Sequence, residues 1–170
     1  MTPERDAEFC EYVAGRGERL RRFAYLCCGD WHRAEDAVQT ALLRLYRAWP
    51  RVRPATVDAY ARKVVVNILI SEQRRLRFRR ERVTGEPPEI PSRPDGTVDR
   101  VTLVAALLRL RGRQRAAIVL RFWDDQSVEE TARILGCSSG SVKNLTMRGL
   151  ARLREEFADS ELPEIEGVRA

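Results

Sequence analysis

Residues 127–136, SVEETARILG, and residues 138–157, SSGSVKNLTMRGLARLREEF, decide the fold of this chain. In the first segment Ser127 and Glu130 stand at capping-box spacing, and Val128, Thr131, Ala132 and Leu135 fall on one helical face. Gly136 supplies a left-handed stop. The second segment opens at Ser138, whose hydroxyl can accept from the unpaired N–H groups of a first turn. It then carries Val142, Thr146, Gly149, Leu150, Leu153 and Phe157 along one side. Its other side reads Ser141, Lys143, Asn144, Met147 and Arg148. Two short helices at a tight turn, the second held by its apolar side and offering hydroxyl, amide and guanidinium groups from its first turns, suit the reading of base edges in a major groove. The plainer alternative is a helical hairpin whose polar face is only solvated, and the rest of the chain weighs between the two.

The 170 residues suffice for one ordinary domain or two small ones. A net charge of +6 and an isoelectric point near 9.6 suit a polyanionic partner. Lysine occurs only at Lys63 and Lys143, so arginine richness reflects composition and its clustering carries the information. Four cysteines (Cys10, Cys27, Cys28, Cys137) and one histidine, His32, include the pattern CC-x-x-x-H. Adjacent cysteines rarely serve one zinc and no second pair follows, so the expectation is buried thiols in a reducing cytosol, with no metal and no cofactor. No apolar run approaches the roughly 20 residues of a membrane span, and MTPERDAEF lacks a signal-peptide core. A cytoplasmic protein without membrane insertion is expected.

From Asp6 to Arg79 the pattern is helical. Over Trp31–Trp49, Ala34, Val38, Ala41, Leu42, Leu45 and Trp49 form a core face. Opposite stand Asp36, Gln39, Thr40, Leu43 and Arg47, an apolar residue inside a polar rim and so a candidate anchor for a protein partner. Pro50 ends this helix. The loop WPRVRPATVD follows, and Thr56 or Asp58 is expected to cap a helix that buries Val57, Ala61, Val64, Val65 and Ile68. Another stripe of that helix carries Tyr60, Lys63, Asn67 and Arg74, an aromatic ring, an amide and cations suited to unstacked bases and their backbone. A half-solvated helix edge is the competing reading of the same stripe. The helix runs into Arg74, Arg75, Arg77, Arg79, Arg80 and Arg82, a cluster suited to phosphate.

Composition changes at Val83. TGEPPEIPSRPDGTVD, residues 84–99, holds four of the eight prolines and no apolar period, and is expected to be a flexible tether. Beyond it Leu103, Val104, Leu107, Leu108 and Leu110 make one amphipathic helix, Gly112 interrupts, and Arg113–Trp123 makes another with Ala117, Ile118 and Phe122 inward. The tail ADSELPEIEGVRA is acidic and expected to be disordered. The expected architecture is all-α: a helical domain at 1–82, a linker at 83–100, a helix-turn-helix domain at 101–157 and a tail at 158–170.

These residues carry a resemblance. WHRAEDAVQTALLRLYRAW is similar to the segment of extracytoplasmic-function sigma factors, within the sigma-70 family, that docks on the clamp of RNA polymerase. YARKVVVNILISEQRR resembles the segment that melts and reads the minus-ten element. LRLRGRQRAAIVLRFWDDQSVEETARILGCSSGSVKNLTMRGLARLREE resembles the domain that binds the minus-thirty-five element. The resemblance implies that Asp36, Gln39, Leu43 and Arg47 face the polymerase. It implies that Arg51, Arg53, Tyr60, Lys63, Asn67 and Arg74 serve minus-ten DNA, the Arg51–Asp58 loop forming a pocket for a flipped base. Ser141, Lys143, Asn144, Met147 and Arg148 would serve minus-thirty-five DNA. The implied partners are core RNA polymerase, promoter DNA and an anti-sigma factor. The chain departs from the family's usual pattern at Thr40, Arg111 and Leu145.

Two other classes compete. A stand-alone helix-turn-helix regulator would bind a pseudo-palindromic duplex as a dimer without polymerase. An enzyme, such as a small helical nuclease, fits poorly, because the carboxylates are scattered, His32 is isolated and no phosphate loop or nucleophile–base motif appears; no catalytic residue is assigned.

Overall fold

Asp30 separates the first two helices, α1 (Pro3–Cys28) and α2 (Trp31–Ala48), and its carboxylate accepts from the Arg33 amide at 2.9 Å to cap α2. Gly29 before it takes φ 72°, a turn that glycine adopts without penalty. The computed structural model describes residues 3–82 and 100–157, all helix, turn or loop with no strand among them. α2 ends at a short 3-10 turn, Trp49–Arg51, with Pro50 inside it, and a second such turn covers Pro54–Thr56. α3 (Val57–Arg82) follows. The second half contains α4 (Arg100–Arg109), α5 (Gly112–Ile118), α6 (Val128–Leu135) and α7 (Ser139–Glu156). The expected tether lies outside the described residues except for Arg100, which begins α4; the expected acidic tail lies outside them altogether.

α1, α2 and α3 pack through the faces that periodicity marks. Ala34, Val38, Ala41 and Leu45 are buried, as are Val57, Ala61, Val64 and Val65 on α3. Leu42, Trp49 and Ile68 are half-buried and lean on this core from its edge. Neither Thr56 nor Asp58 fills the expected capping role. The Thr56 hydroxyl turns back to donate to the Arg53 carbonyl at 3.0 Å, and the Asp58 carboxylate faces Arg16 and Arg62 at 3.9 and 3.8 Å. The 3-10 turn leads directly into α3, the Val57 amide donating to the Pro54 carbonyl at the junction.

In the second half, α6 and α7 follow the sequence closely. Ser127 accepts from the Glu130 amide at 3.0 Å, Gly136 takes φ 61°, and Ser138 accepts from the Ser141 amide at 3.1 Å. Glu130 does not complete the reciprocal capping box; its carboxylate takes Arg133 instead. α5 crosses α7 where Gly149 lies against Ile118, so close that a Cβ there would stand 3.0 Å from Ile118 Cγ1. Arg113 donates to the Leu135 carbonyl at 2.9 Å, closing the end of α6.

The expected continuous helix over Arg113–Trp123 does not form. After Ile118 the chain opens into a π turn, Val119–Trp123, closed by an i→i+5 bond from the Asp124 amide to the Val119 carbonyl at 3.0 Å. The wider turn rotates everything after it, so Phe122 points outward rather than into the core. Leu103 and Leu108 of α4 are likewise largely exposed, while Val104, Leu107 and Leu110 are buried. Leu108 instead covers the α1–α2 turn: a Cβ on Gly29 would fall 2.4 Å from Leu108 Cδ1. α4, α5 and α6 thus lie against α1 and α3, and the buried apolar residues of both halves form one connected cluster.

Candidate nucleic-acid interface

Asp36, Gln39, Leu43 and Arg47 project from the outer face of α2, all exposed. Leu43 is 61% exposed and has a shallow apolar hollow beside it, shared with Phe9, Leu42 and Tyr46. Phe9 packs into this floor by edge contacts to Tyr46 and Trp49, each with centroids 5.1 Å apart. The Tyr46 hydroxyl donates to Asp6 at 2.8 Å, and that bond raises its pKa above the usual phenol range. The anchor is therefore a patch built from two helices. Tyr46 was legible as the i+3 neighbour of Leu43; Phe9, on another helix, was not.

The minus-ten candidates divide. Arg51, Arg53, Tyr60 and Lys63 come together around a hollow of about 430 Å3, with Thr56 at its rim. The two 3-10 turns bring the loop arginines beside the first turn of α3. Tyr60 is half-buried, packed against the hydrophobic core and lining the hollow. Such a site offers a ring for stacking and cations for phosphate. Asn67, exposed, lies along α3 outside it, and Arg74, also exposed, lines a different cleft.

On α7, Ser141, Lys143, Asn144, Met147 and Arg148 are all exposed, while Val142, Gly149 and Leu153 are buried beneath them. Ser141, Asn144 and Arg148 line the same cleft as Arg74, about 500 Å3 in volume, with Arg111 and Arg113 on α5's side. Lys143 and Met147 point away from it, Met147 being 60% exposed. Leu145 is half-buried in the cleft wall, which accounts for an apolar residue at that point of the helix.

The residues of CC-x-x-x-H diverge. Cys27 is buried and its thiol is pushed up to about 12 by that burial. Cys28 donates to the Asp30 carbonyl at 3.2 Å, and His32 is exposed. Among the described residues no group of three or more such side chains is placed to hold a metal, and no helix is long and apolar enough to cross a membrane.

Sequence reasoning missed one charged cluster. The Asp124 carboxylate, 1% exposed, accepts from Arg19 Nε at 2.9 Å and from Arg62 Nε. Its backbone carbonyl accepts from Gln126 Nε2 at 2.8 Å. Beside it Tyr12 is held above the usual phenol range by burial and by Asp58. No local pattern marks Asp124, whose partners lie 105 and 62 residues away.

The chain resembles known proteins in both of its halves. Residues 13–79 match Sigma-70 region 2 and residues 100–153 match Sigma-70, region 4. The chain is 42% identical to the RNA polymerase sigma-E factor of Streptomyces coelicolor, over 91% of this chain and 89% of that protein. It is 34% identical to the ECF RNA polymerase sigma factor SigM of Mycobacterium tuberculosis, over 79% and 69%. In fold it is similar to the sigma factor RpoE solved in complex with the anti-sigma factor NepR from Bartonella quintana, with a TM-score of 0.75 and 24% identity over 90% of this chain and 98% of that one.

Proposed function

From the premise that this chain belongs to the sigma-70 family, as an RNA polymerase sigma factor of the extracytoplasmic-function type, we infer that it binds core polymerase, recognises a bipartite promoter and helps to open it. The work is divided by surface. The outer face of α2, with Asp36, Gln39, Leu43 and Arg47, docks on the polymerase. Arg51, Arg53, Tyr60 and Lys63 receive the minus-ten strand, with Asn67 and Arg74 continuing its path along α3. Ser141, Lys143, Asn144, Met147 and Arg148 enter the groove of the minus-thirty-five element. Residues 1–82 and 101–157 act as the two promoter-reading domains, joined by the tether. The protein contributes binding energy and specificity and no catalysis, it works in the cytoplasm, and an anti-sigma factor is its further partner.

The observation that carries this reading is the pairing of an exposed leucine on an aromatic floor with the cluster of Arg51, Arg53, Tyr60 and Lys63 on the same helical half. Polymerase docking needs the first and strand capture needs the second; a dimeric regulator needs neither. The test is reconstitution with core polymerase and run-off transcription from a duplex carrying both elements. Polymerase-dependent initiation at one start supports the reading. Tight binding of a palindromic duplex by the protein alone, with no initiation, would replace it with a stand-alone regulator.

A further inference from the structure

We propose that the cleft lined by α3, α5 and α7 is a binding site for a nucleotide, its phosphates held by arginines and its base lying on an apolar wall. The cleft encloses about 500 Å3, within the roughly 300–1,000 Å3 of small-molecule sites. Four guanidinium groups line it: Arg74 from α3, Arg111 and Arg113 at the start of α5, and Arg148 from α7. Among the described residues no carboxylate lines it. None of the four arginines forms an ion pair there, whereas Arg62, Arg109 and Arg133 each do elsewhere. Cations gathered at one concave surface repel one another and focus a positive potential into it, which an entering anion relieves.

Promoter DNA does not account for the whole set. Arg74 and Arg148 are assigned to it above, but Arg111 and Arg113 are not. Arg113 is half-buried and held by its bond to the Leu135 carbonyl at 2.9 Å, so one donor fork is fixed before any ligand arrives. Arg111 and Leu145, where the chain departs from its family's usual pattern, both line the cleft. The first adds a cation; the second, half-buried beside the half-buried Ile70, adds an apolar wall. Planar guanidinium forks take phosphate oxygens in pairs, and an apolar wall suits the face of a base. The combination favours a nucleotide over a bare anion. A ligand on Arg74 and Arg148 also competes with DNA for them; that consequence rests on the function proposed above, while the binding itself is measured without DNA or polymerase.

Calorimetric titration of the free full-length protein with ATP, and separately with inorganic triphosphate, tests the site. Saturable single-site binding of ATP, tighter than that of triphosphate, is expected. Arg111→Glu on one wall and Arg148→Gln on another should each weaken ATP by about tenfold or more, the effect of losing charge-assisted hydrogen bonds. Arg152→Glu, exposed on α7 outside the cleft, changes the net charge as much as Arg111→Glu and should bind as the parent does. Location has its own readout: Cys137 lines the cleft and Cys10 does not, so saturating ATP should slow modification of Cys137 by a thiol reagent several-fold and leave Cys10 unchanged. Should Arg111→Glu not fold, Arg148→Gln and the protection of Cys137 carry the test. Absence of saturable binding, or a Cys137 left unprotected at saturation, would overturn the site. Equal weakening by Arg152→Glu would replace it with general attraction to a basic protein, and triphosphate binding as tightly as ATP would overturn the nucleotide. If the chain binds ATP in this way yet supports no initiation with polymerase, the functional reading falls and the site stands.

Discussion

Leu43 and Leu45 stand two residues apart on α2, one 61% exposed and the other 0%. Successive helical positions differ by about 100°, so the same side chain serves a core at one position and a surface at the other. Leu45→Ala should cost about 2–5 kcal/mol of stability, the usual cost of emptying a buried leucine site. Leu43→Asp should leave thermal unfolding near that of the parent and weaken co-purification with core polymerase several-fold or more. Unfolding by Leu43→Asp would assign Leu43 to the core.

On α7 two cations have different geometry. Arg148 is a planar donor fork suited to guanine, and Lys143 is a point charge suited to phosphate. Measured on the reconstituted holoenzyme, Arg148→Ala should lose about 1–3 kcal/mol and relax preference at one base pair of the upstream element. Lys143→Ala should weaken every sequence alike and lower the salt slope by about 1. Equal loss across sequences for both variants would place both on the backbone.

Cysteine chemistry should follow burial. Cys10 is exposed and Cys27 buried, so a thiol reagent should modify Cys10 first and reach Cys27 only on unfolding. The folded Cys27 keeps its proton up to about 12, against 9.0 ordinarily. As pH rises through that window the unfolded chain loses a proton that the folded chain holds, so stability falls as pH rises. Tyr12, raised by burial and Asp58, adds to the alkaline loss. Urea midpoints below pH 9.0 and midway towards 12 should show it, with a shallower fall in Cys27→Ala. An unchanged slope in that variant would remove Cys27 as a cause.

What was legible in the sequence was local. Ser127, Gly136 and Ser138 mark their helix ends because caps and left-handed stops act within a turn or so of the chain. The face of α2 was legible because eighteen residues of helix repeat the same period. Phe122 was misplaced because a π turn breaks that period without a sequence signal, and Asp58 because its carboxylate faces the side chains of Arg16 on α1 and Arg62 one turn along α3. The placing of Arg74 and Arg148 on one cleft was out of reach for the same reason as the Asp124 pairs: each brings together segments far apart in the chain, chosen by packing. The candidate site was thus readable as stripes on helices, and its assembly into hollows was not.

Promoter opening bears most directly on mechanism, because bases that leave the stack must be held. Extruding a base costs a few kcal/mol, and stacking on an aromatic ring returns about 1–3 kcal/mol. Tyr60 supplies that ring in the hollow that Arg51, Arg53 and Lys63 surround with positive charge, and Asn67 offers an amide farther along α3. Tyr60→Ala with Asn67→Ala should therefore leave holoenzyme binding to closed duplex largely intact while initiation from linear duplex falls at least tenfold, a factor that corresponds to about 1.4 kcal/mol of lost capture energy. A template with a pre-melted bubble should recover much of the loss, because the cost of extrusion has already been met. Tyr60→Phe keeps the ring and should behave as the parent. Since Tyr60 is half-buried, thermal unfolding of each variant separates lost capture from lost packing. If the double variant initiates from intact duplex as well as the parent does, strand capture lies elsewhere on the chain; if bubble and duplex templates suffer alike, the residues act in docking rather than in opening.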